Sequence, residues 1–312
     1  MRHLRPVPDL KPPPRARGEG EPAPTTAELE RWATVLRIDC VSMLAVAKSG
    51  HLDSSLSAAD IVAALYYRVL RHDPEAPDWP ERDRFVLAKG HAAPILYAAL
   101  AEHGYFPHSE LQKLRKIGAM LQGHPDMRTT PGVEVSTGSL GQGLSMSVGI
   151  CLALRLDRLD QTSHTFCLLS DGDCQEGQTW EAATAATHFG LRNLTAVVDY
   201  NHLQTDGTTE EVMDIGDVRA KFEAFGWDSV EIDGHDMNAI VDALERGREL
   251  DRPSAIVCQT KKGRGVSFME ERFGFHGKPP TPEQAEEALT ELEARLEEQT
   301  AALHAADGEE SD

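Results

Sequence analysis

The sequence has no apolar run approaching the ~20 residues that a membrane-spanning helix needs. Its first 24 residues, MRHLRPVPDLKPPPRARGEGEPAP, also lack the apolar stretch of a secretory signal. A cytoplasmic protein is therefore expected. Positive charge is scarce: 31 Lys and Arg against 51 Asp and Glu leave a net charge of −20 and a pI near 5.0. Such a field repels polyphosphate and acidic lipid, so neither a nucleic acid nor a membrane surface is an expected partner. The five cysteines (Cys40, Cys151, Cys167, Cys174, Cys258) are scattered, mostly within apolar runs, and form no C-x-x-C pair. That excludes the common zinc and dithiol motifs and predicts reduced core residues. Familiar phosphate loops are missing too, with no G-x-x-x-x-G-K-[ST] and no strand-linked G-x-G-x-x-G. An EF-hand loop begun at Asp171 would meet Glu176 where glycine is required.

What is present suits one large domain. A chain of 312 residues with 40% hydrophobic content can bury a sizeable core. Residues 1–24, rich in Pro, Arg and Gly, read as a disordered leader. Order is expected from Thr25, where Thr25 and Glu28 form a capping box and Leu29, Trp32, Leu36 and Met43 keep a helical stripe as far as Lys48-Ser49-Gly50. A second helix is predicted to start at SAAD, with Ser57 as cap and Asp60 opposite it. Then strands and helices alternate. RFVLA, HTFCLLS, LTAVVDY, WDSVEID and SAIVCQT read as buried strands, separated mostly by helical stretches such as DVRAKFEAFG and MNAIVDALERGREL. The pattern predicts an α/β fold, a doubly wound, mostly parallel sheet with helices on both faces, over residues 25–280. Residues 281–312 read as a helical extension fading into an acidic tail.

One stretch concentrates chemistry. In LLSDGDCQEGQTWEAA, residues 168–183, an apolar strand ends at Asp171, Gly172 lets backbone amides approach an anion, and a helix begins near Glu176 with its positive end at the same place. Mg²⁺ wants about six oxygens, so one carboxylate needs company. Asn201, closing the next strand 30 residues on, is one crossover away, and a carbonyl from the following HLQ can complete the set. A lone Asp-Gly is more often a simple turn at a strand end. Four of the 13 histidines follow glycine (His51, His91, His124, His235), where chance gives about one. Any one of them can be a surface-turn residue; together they point to a polar pocket.

These residues carry a resemblance. SDGD…EG followed by YNHLQ resembles the thiamine diphosphate signature, and SGHLDSSLSAADIVAALY, RDRFVLAKGHAAPILYAAL, LQGHPD, STGSLGQGLSMSVG, FGWDSVEIDGHD and FHGKPP resemble transketolase in the same order, over Thr26 to Pro280. The similarity is to the N-terminal, diphosphate-binding third, and in particular to enzymes split between two chains. It implies thiamine diphosphate as cofactor and Mg²⁺ (or Ca²⁺) held by Asp171, Asn201 and the Leu203 carbonyl. Gly138, Ser139 and Leu140 would contact the cofactor, with Gly172, His91 and His276 beside it. His124 would bind the terminal hydroxyl of the donor's two-carbon unit, His51 and His276 would handle its protons, and His91 would lie near the diphosphate. Glu176 would link to the partner's catalytic carboxylate, although an acid at a helix start is nearly as ordinary. His235 has no implied role and is expected to stabilise a turn.

The resemblance further implies transfer of a two-carbon ketol unit from a ketose phosphate to an aldose phosphate. The glutamate that activates the cofactor, and the arginines that grip sugar phosphates, are expected on a C-terminal transketolase subunit carrying the pyrimidine-binding and C-terminal domains, in a two-plus-two heterotetramer. Two departures stand out. Ser170 replaces a glycine, and Asp53 follows His51 where small residues are usual. Asp53 is expected to be an exposed loop acid, or else a selector for an amino-sugar donor in a specialised biosynthetic pathway. Deoxyxylulose phosphate synthases and 2-oxo acid dehydrogenases share the metal motif, but the second lack the Gly-His series and the first usually keep their domains in one chain. A non-catalytic subunit that merely holds the cofactor for a partner is the reading from another class.

Overall fold

All five apolar stretches become strands of one sheet in this computed structural model, which describes residues 23–309. β1 (Arg84–Leu87), β2 (Thr165–Ser170), β3 (Leu194–Tyr200), β4 (Asp228–Asp233) and β5 (Ser254–Gln259) run parallel in the order β1-β2-β3-β5-β4. The helices are α1 (Thr26–Ala47), α2 (Asp53–Ser57), α3 (Ala59–Ala64), α4 (Ala93–Glu102), α5 (Gln142–Leu156), α6 (Asp171–Cys174), α7 (Gly177–His188), α8 (Thr209–Met213), α9 (Val218–Ala224), α10 (Met237–Glu249) and α11 (Pro282–Glu309).

Successive strand residues point to opposite faces, and both faces are apolar. Phe85, Leu87, Phe166, Leu168, Val197 and Ile256 pack with α1, α3, α4, α10 and α11. Val86, Cys167, Leu169, Ala196, Val198 and Val257 pack with α5, α7 and α9. The sheet is thus covered on both sides, as its near-continuous hydrophobic strands require. The five cysteines are buried and unpaired.

The predicted capping box at Thr25 and Glu28 starts α1, and its stripe is buried. The helix stops where Lys48 turns left-handed at φ 52°. The second helix departs from expectation. Helical backbone begins at Asp53, and Ser57 ends α2 rather than capping a helix. The Ser57 hydroxyl is drawn away to donate to Asp199, 2.7 Å off, while Asp60 is taken by Arg37 at 2.6 and 3.0 Å. The helical turn of residues 65–69 that continues α3 is π-type. The stretch expected as an extension packs back: Ala285, Ala288, Leu292 and Leu296 of α11 are buried in the core beside α1. The leader assigned to residues 1–24, bar its last two residues, and the end of the acidic tail lie outside the described residues.

Register decides where the chemistry emerges. Ser170 lies opposite Asp199 and Tyr200 opposite Gln259, so Asp171, Asn201 and Thr260 all leave the sheet at the carboxyl ends of neighbouring strands. Ligands of open α/β sheets bind along that edge.

Candidate active site

The end of β2 folds more tightly than a turn. Ser170 and Asp173 form a reciprocal capping box, which makes Asp171 the first residue of the one-turn helix α6. Ser170 has φ −111° and ψ 171°, extended backbone that needs no glycine, so its replacement of Gly costs nothing and adds a cap. Asp173 also accepts the Gly141 amide at 2.8 Å, joining α6 to the loop that carries Gly138, Ser139 and Leu140. Asp171 accepts its own Gly172 amide at 2.9 Å and the Thr209 hydroxyl at 3.0 Å. Burial, reinforced by the charge of Asp199, pushes the Asp171 carboxyl up. The Lys262 and Lys89 ammoniums offset part of that rise. At the end of β3, Asn201 Oδ1 accepts the Leu203 amide at 3.2 Å, and the Leu203 carbonyl receives the Lys262 ammonium at 2.7 Å.

Three of the predicted histidines meet here. His51 and His91 have ring centroids 5.2 Å apart, His51 and His276 5.0 Å, and His91 and His276 5.8 Å. Burial lowers the pKa of each, that of His276 to about 4, with neighbouring Lys262 adding to the effect. His124 is exposed and lies against Gly138, close enough to His51 for its charge to matter there. Glu176 is exposed at the N-cap of α7 and packs on Gly141, without a side-chain capping bond. Ser139 is exposed beside it.

Asp53 is corrected by the structure. It opens α2, is only 2% exposed, and turns its carboxylate toward Lys262 Nζ at 3.7 Å and His276 Nδ1 at 3.8 Å. The Gly263 amide donates to the Asp53 carbonyl at 3.1 Å, which ties this turn to the segment after β5. His235 takes the stabilising role expected of it. Its Nδ1 lies 2.7 Å from Asp60, and its Nε2 accepts the Lys261 amide at 2.8 Å, which fixes the segment bearing Lys262.

Sequence reading missed Lys89, Asp199, Lys262 and Arg115. Lys262 Nζ lies 2.9 Å from His276 Nδ1 as well as on the Leu203 carbonyl. Arg115 places its guanidinium beside Gly50 and Gly123, the residues before His51 and His124, so basic character is not left wholly to another chain. The available signal was a charged residue inside an apolar stretch, as in VLAKG and AVVDY.

Thiamine diphosphate and a divalent ion fit these residues. A carboxylate, an amide oxygen and a backbone carbonyl are the hard donors that Mg²⁺ and Ca²⁺ prefer, and the Leu203 carbonyl already holds a cation in the form of Lys262. Opposite, glycine backbone leaves room. A Cβ at Gly138 (φ 149°) would meet the His124 ring at 2.9 Å, and one at Gly90 would meet the Gly138 amide nitrogen at 2.8 Å.

Of the cofactor and the ion, comparison with known proteins bears on the cofactor alone. Residues 29–298 match the family described as transketolase, thiamine diphosphate binding domain. The chain is 44% identical over 267 residues to the 6-deoxy-6-sulfo-D-fructose transketolase subunit SqwG of Clostridium sp. (strain MSTE9), covering 85% of this chain and 96% of that one. It is 40% identical to an apulose-4-phosphate transketolase subunit of Phocaeicola vulgatus, covering 82% and 91%. The crystal structure of transketolase from Campylobacter jejuni superposes with a TM-score of 0.79 at 32% identity, over 86% of this chain and 42% of that one. The chain belongs to the transketolase family, as an N-terminal subunit built on its thiamine diphosphate-binding domain.

Proposed function

We propose that this chain grips the diphosphate end of thiamine diphosphate and, with a second polypeptide, transfers a two-carbon ketol unit from an anionic ketose, such as a ketose phosphate, to an aldose phosphate. The carrying observation is the convergence of three imidazoles and Lys262 on the strand edge that bears Asp171, Asn201 and the Leu203 carbonyl. The two subunit relatives are named for different ketoses, one a sulfonate and one a phosphate, which supports an anionic substrate class.

In this reading Asp171, Asn201 and the Leu203 carbonyl hold Mg²⁺ or Ca²⁺, and Gly138, Ser139, Leu140, Gly172, His91 and His276 line the cofactor. Lys262 adds a positive charge for the diphosphate. When bound, thiamine diphosphate supplies the nucleophilic carbon and electron sink that ketose cleavage needs. Burial favours the neutral form of His51 and His276, the form that can take a proton from a substrate hydroxyl and return it. His124, at the exposed rim, orients the donor's terminal hydroxyl. Glu176, exposed at the start of α7, reaches toward the partner. That partner is a C-terminal transketolase subunit, which joins this chain two-plus-two in the cytoplasm. The amino-sugar alternative loses its motive, since the Asp53 charge is matched inside the protein by Lys262.

The test is direct. The purified chain is mixed with thiamine diphosphate, Mg²⁺, xylulose 5-phosphate and ribose 5-phosphate. No turnover is expected until the partner is added, and turnover by the chain alone refutes the shared site.

A further inference from the structure

A second cluster lies away from that edge, where α1, α4 and the turn after α4 meet. His108 Nε2 stands 3.0 and 3.1 Å from the two Asp39 oxygens and 3.1 Å from Glu102 Oε1. One donor atom from each residue can be chosen so that all three lie within 4.8 Å of one another. A ring nitrogen carries one proton and can direct one good hydrogen bond, yet three carboxylate oxygens crowd this one. Zinc bonds of about 2.0 Å would set tetrahedral donors roughly 3.3 Å apart, close to the 3.0–3.1 Å that separates the ring nitrogen from its carboxylate oxygens. The side chains are largely shut from water, at 5% exposure for Asp39, 11% for Glu102 and 14% for His108.

A second observation comes from a residue within reach of the same two carboxylates. The Tyr67 hydroxyl is buried with no hydrogen-bond partner among the described residues. Glu102 and Asp39 are the charges that act on it. Its ring is held between Trp32, at 4.4 Å, and His103, at 4.3 Å, and so has little freedom to seek a partner elsewhere. An unsatisfied buried hydroxyl is unfavourable. Tyr67 also sits on the π-type turn of residues 65–69, a distortion frequent at functional sites.

We propose that Asp39, Glu102 and His108 bind one divalent transition-metal ion, with Zn²⁺ the best match to two carboxylates and an imidazole, and that a water in its open position gives Tyr67 the hydrogen-bond partner it lacks. The ion is a staple. It ties α1 and α4 to the turn His108–Lys113, which runs directly into Leu114 and Arg115 and so steadies the segment leading to His124.

The alternative is a protonated His108 shared by two carboxylates, and metal titration separates the two. The full-length chain, stripped with a chelator and kept in excess Mg²⁺, is titrated with Zn²⁺ by calorimetry. Expected are one equivalent bound by the wild type and binding at least about tenfold weaker in His108→Gln and Asp39→Asn. His276→Ala, which breaks the imidazole cluster at the strand edge, should keep that equivalent. Absence of Zn²⁺ binding, its persistence in His108→Gln and Asp39→Asn, or its loss in His276→Ala overturns the proposal. Should those two variants not fold, the Co²⁺-loaded wild type decides, with intense visible bands of a four-coordinate ion supporting the site and a weak six-coordinate spectrum refuting it.

Discussion

Lys89 and Asp199 form an ion pair from which water is shut out, both side chains being 0% exposed. Asp199 also accepts the hydroxyls of Ser57 and Thr260, and Lys89 donates to the Ser54 carbonyl at 3.0 Å. Burial alone would raise the Asp199 carboxyl, but Lys89 and the hydroxyls hold it below its ordinary range. The pair binds the loop after β1 to β3 and to α2, and so fixes the segments that hold His91, Asp53 and, one residue past β3, Asn201. Lys89→Met strands a buried carboxylate and should cost about 3–5 kcal/mol in urea unfolding. Replacing both residues by apolar ones of similar volume should recover most of that. A single-variant loss under about 1 kcal/mol contradicts the argument.

The strands were legible because each is an apolar run with turn residues at its ends, and the adjacency of the β2 and β3 carboxyl ends because a parallel crossover has a characteristic length. The start of α2 was not. Asp53 has no capping side chain before it, and Ser57 offered a stronger local signal that Asp199 captures from 142 residues away. Lys89 and Lys262 went unnoticed for the same reason. Their partners are set by which strands lie side by side, and nothing near them in sequence names Asp199 or the Leu203 carbonyl. The turn before α10 marks His235 as structural in the sequence, but its anchoring of Lys261 depends on a contact across 26 residues.

Acid should weaken the fold in a definite window. Burial lowers the pKa of His72, His91 and His164, so each binds a proton in the unfolded chain below about pH 6.5 and resists it when folded. The unfolded state then holds more protons, and stability, complete above that pH, is lost as pH falls beneath it. Each histidine contributes up to about 1.4 kcal/mol per pH unit. Urea unfolding at about pH 7, 6 and 5 should give a plateau followed by a steep decline; an unchanged midpoint at the lowest value runs against this.

Asp171→Asn should move stability and binding in opposite directions. In the metal-free chain it removes a buried charge that burial and Asp199 both disfavour, for a gain of up to about 1 kcal/mol. With Mg²⁺ present the same change deletes a hard ligand, and calorimetry should show thiamine diphosphate affinity reduced at least about tenfold. Asn201→Ala should share the second effect without the first. Undiminished affinity in both variants removes these residues from the metal.

His124→Ala and His276→Ala separate a catalytic subunit from one that only holds the cofactor. His124 is exposed and His276 half-buried, so the fold should tolerate both changes, and assembly with the partner, followed by light scattering, should be unchanged. If these imidazoles orient substrate and move its protons, kcat/KM falls by roughly 10²–10⁴ in each. The two should differ in kind. His124 touches the glycine wall at the rim, and its loss should raise KM for the ketose. His276 also lies 2.9 Å from Lys262, so its loss should weaken cofactor binding as well as turnover. A fully assembled complex with wild-type rates in both variants would assign the chemistry elsewhere and leave this chain a scaffold.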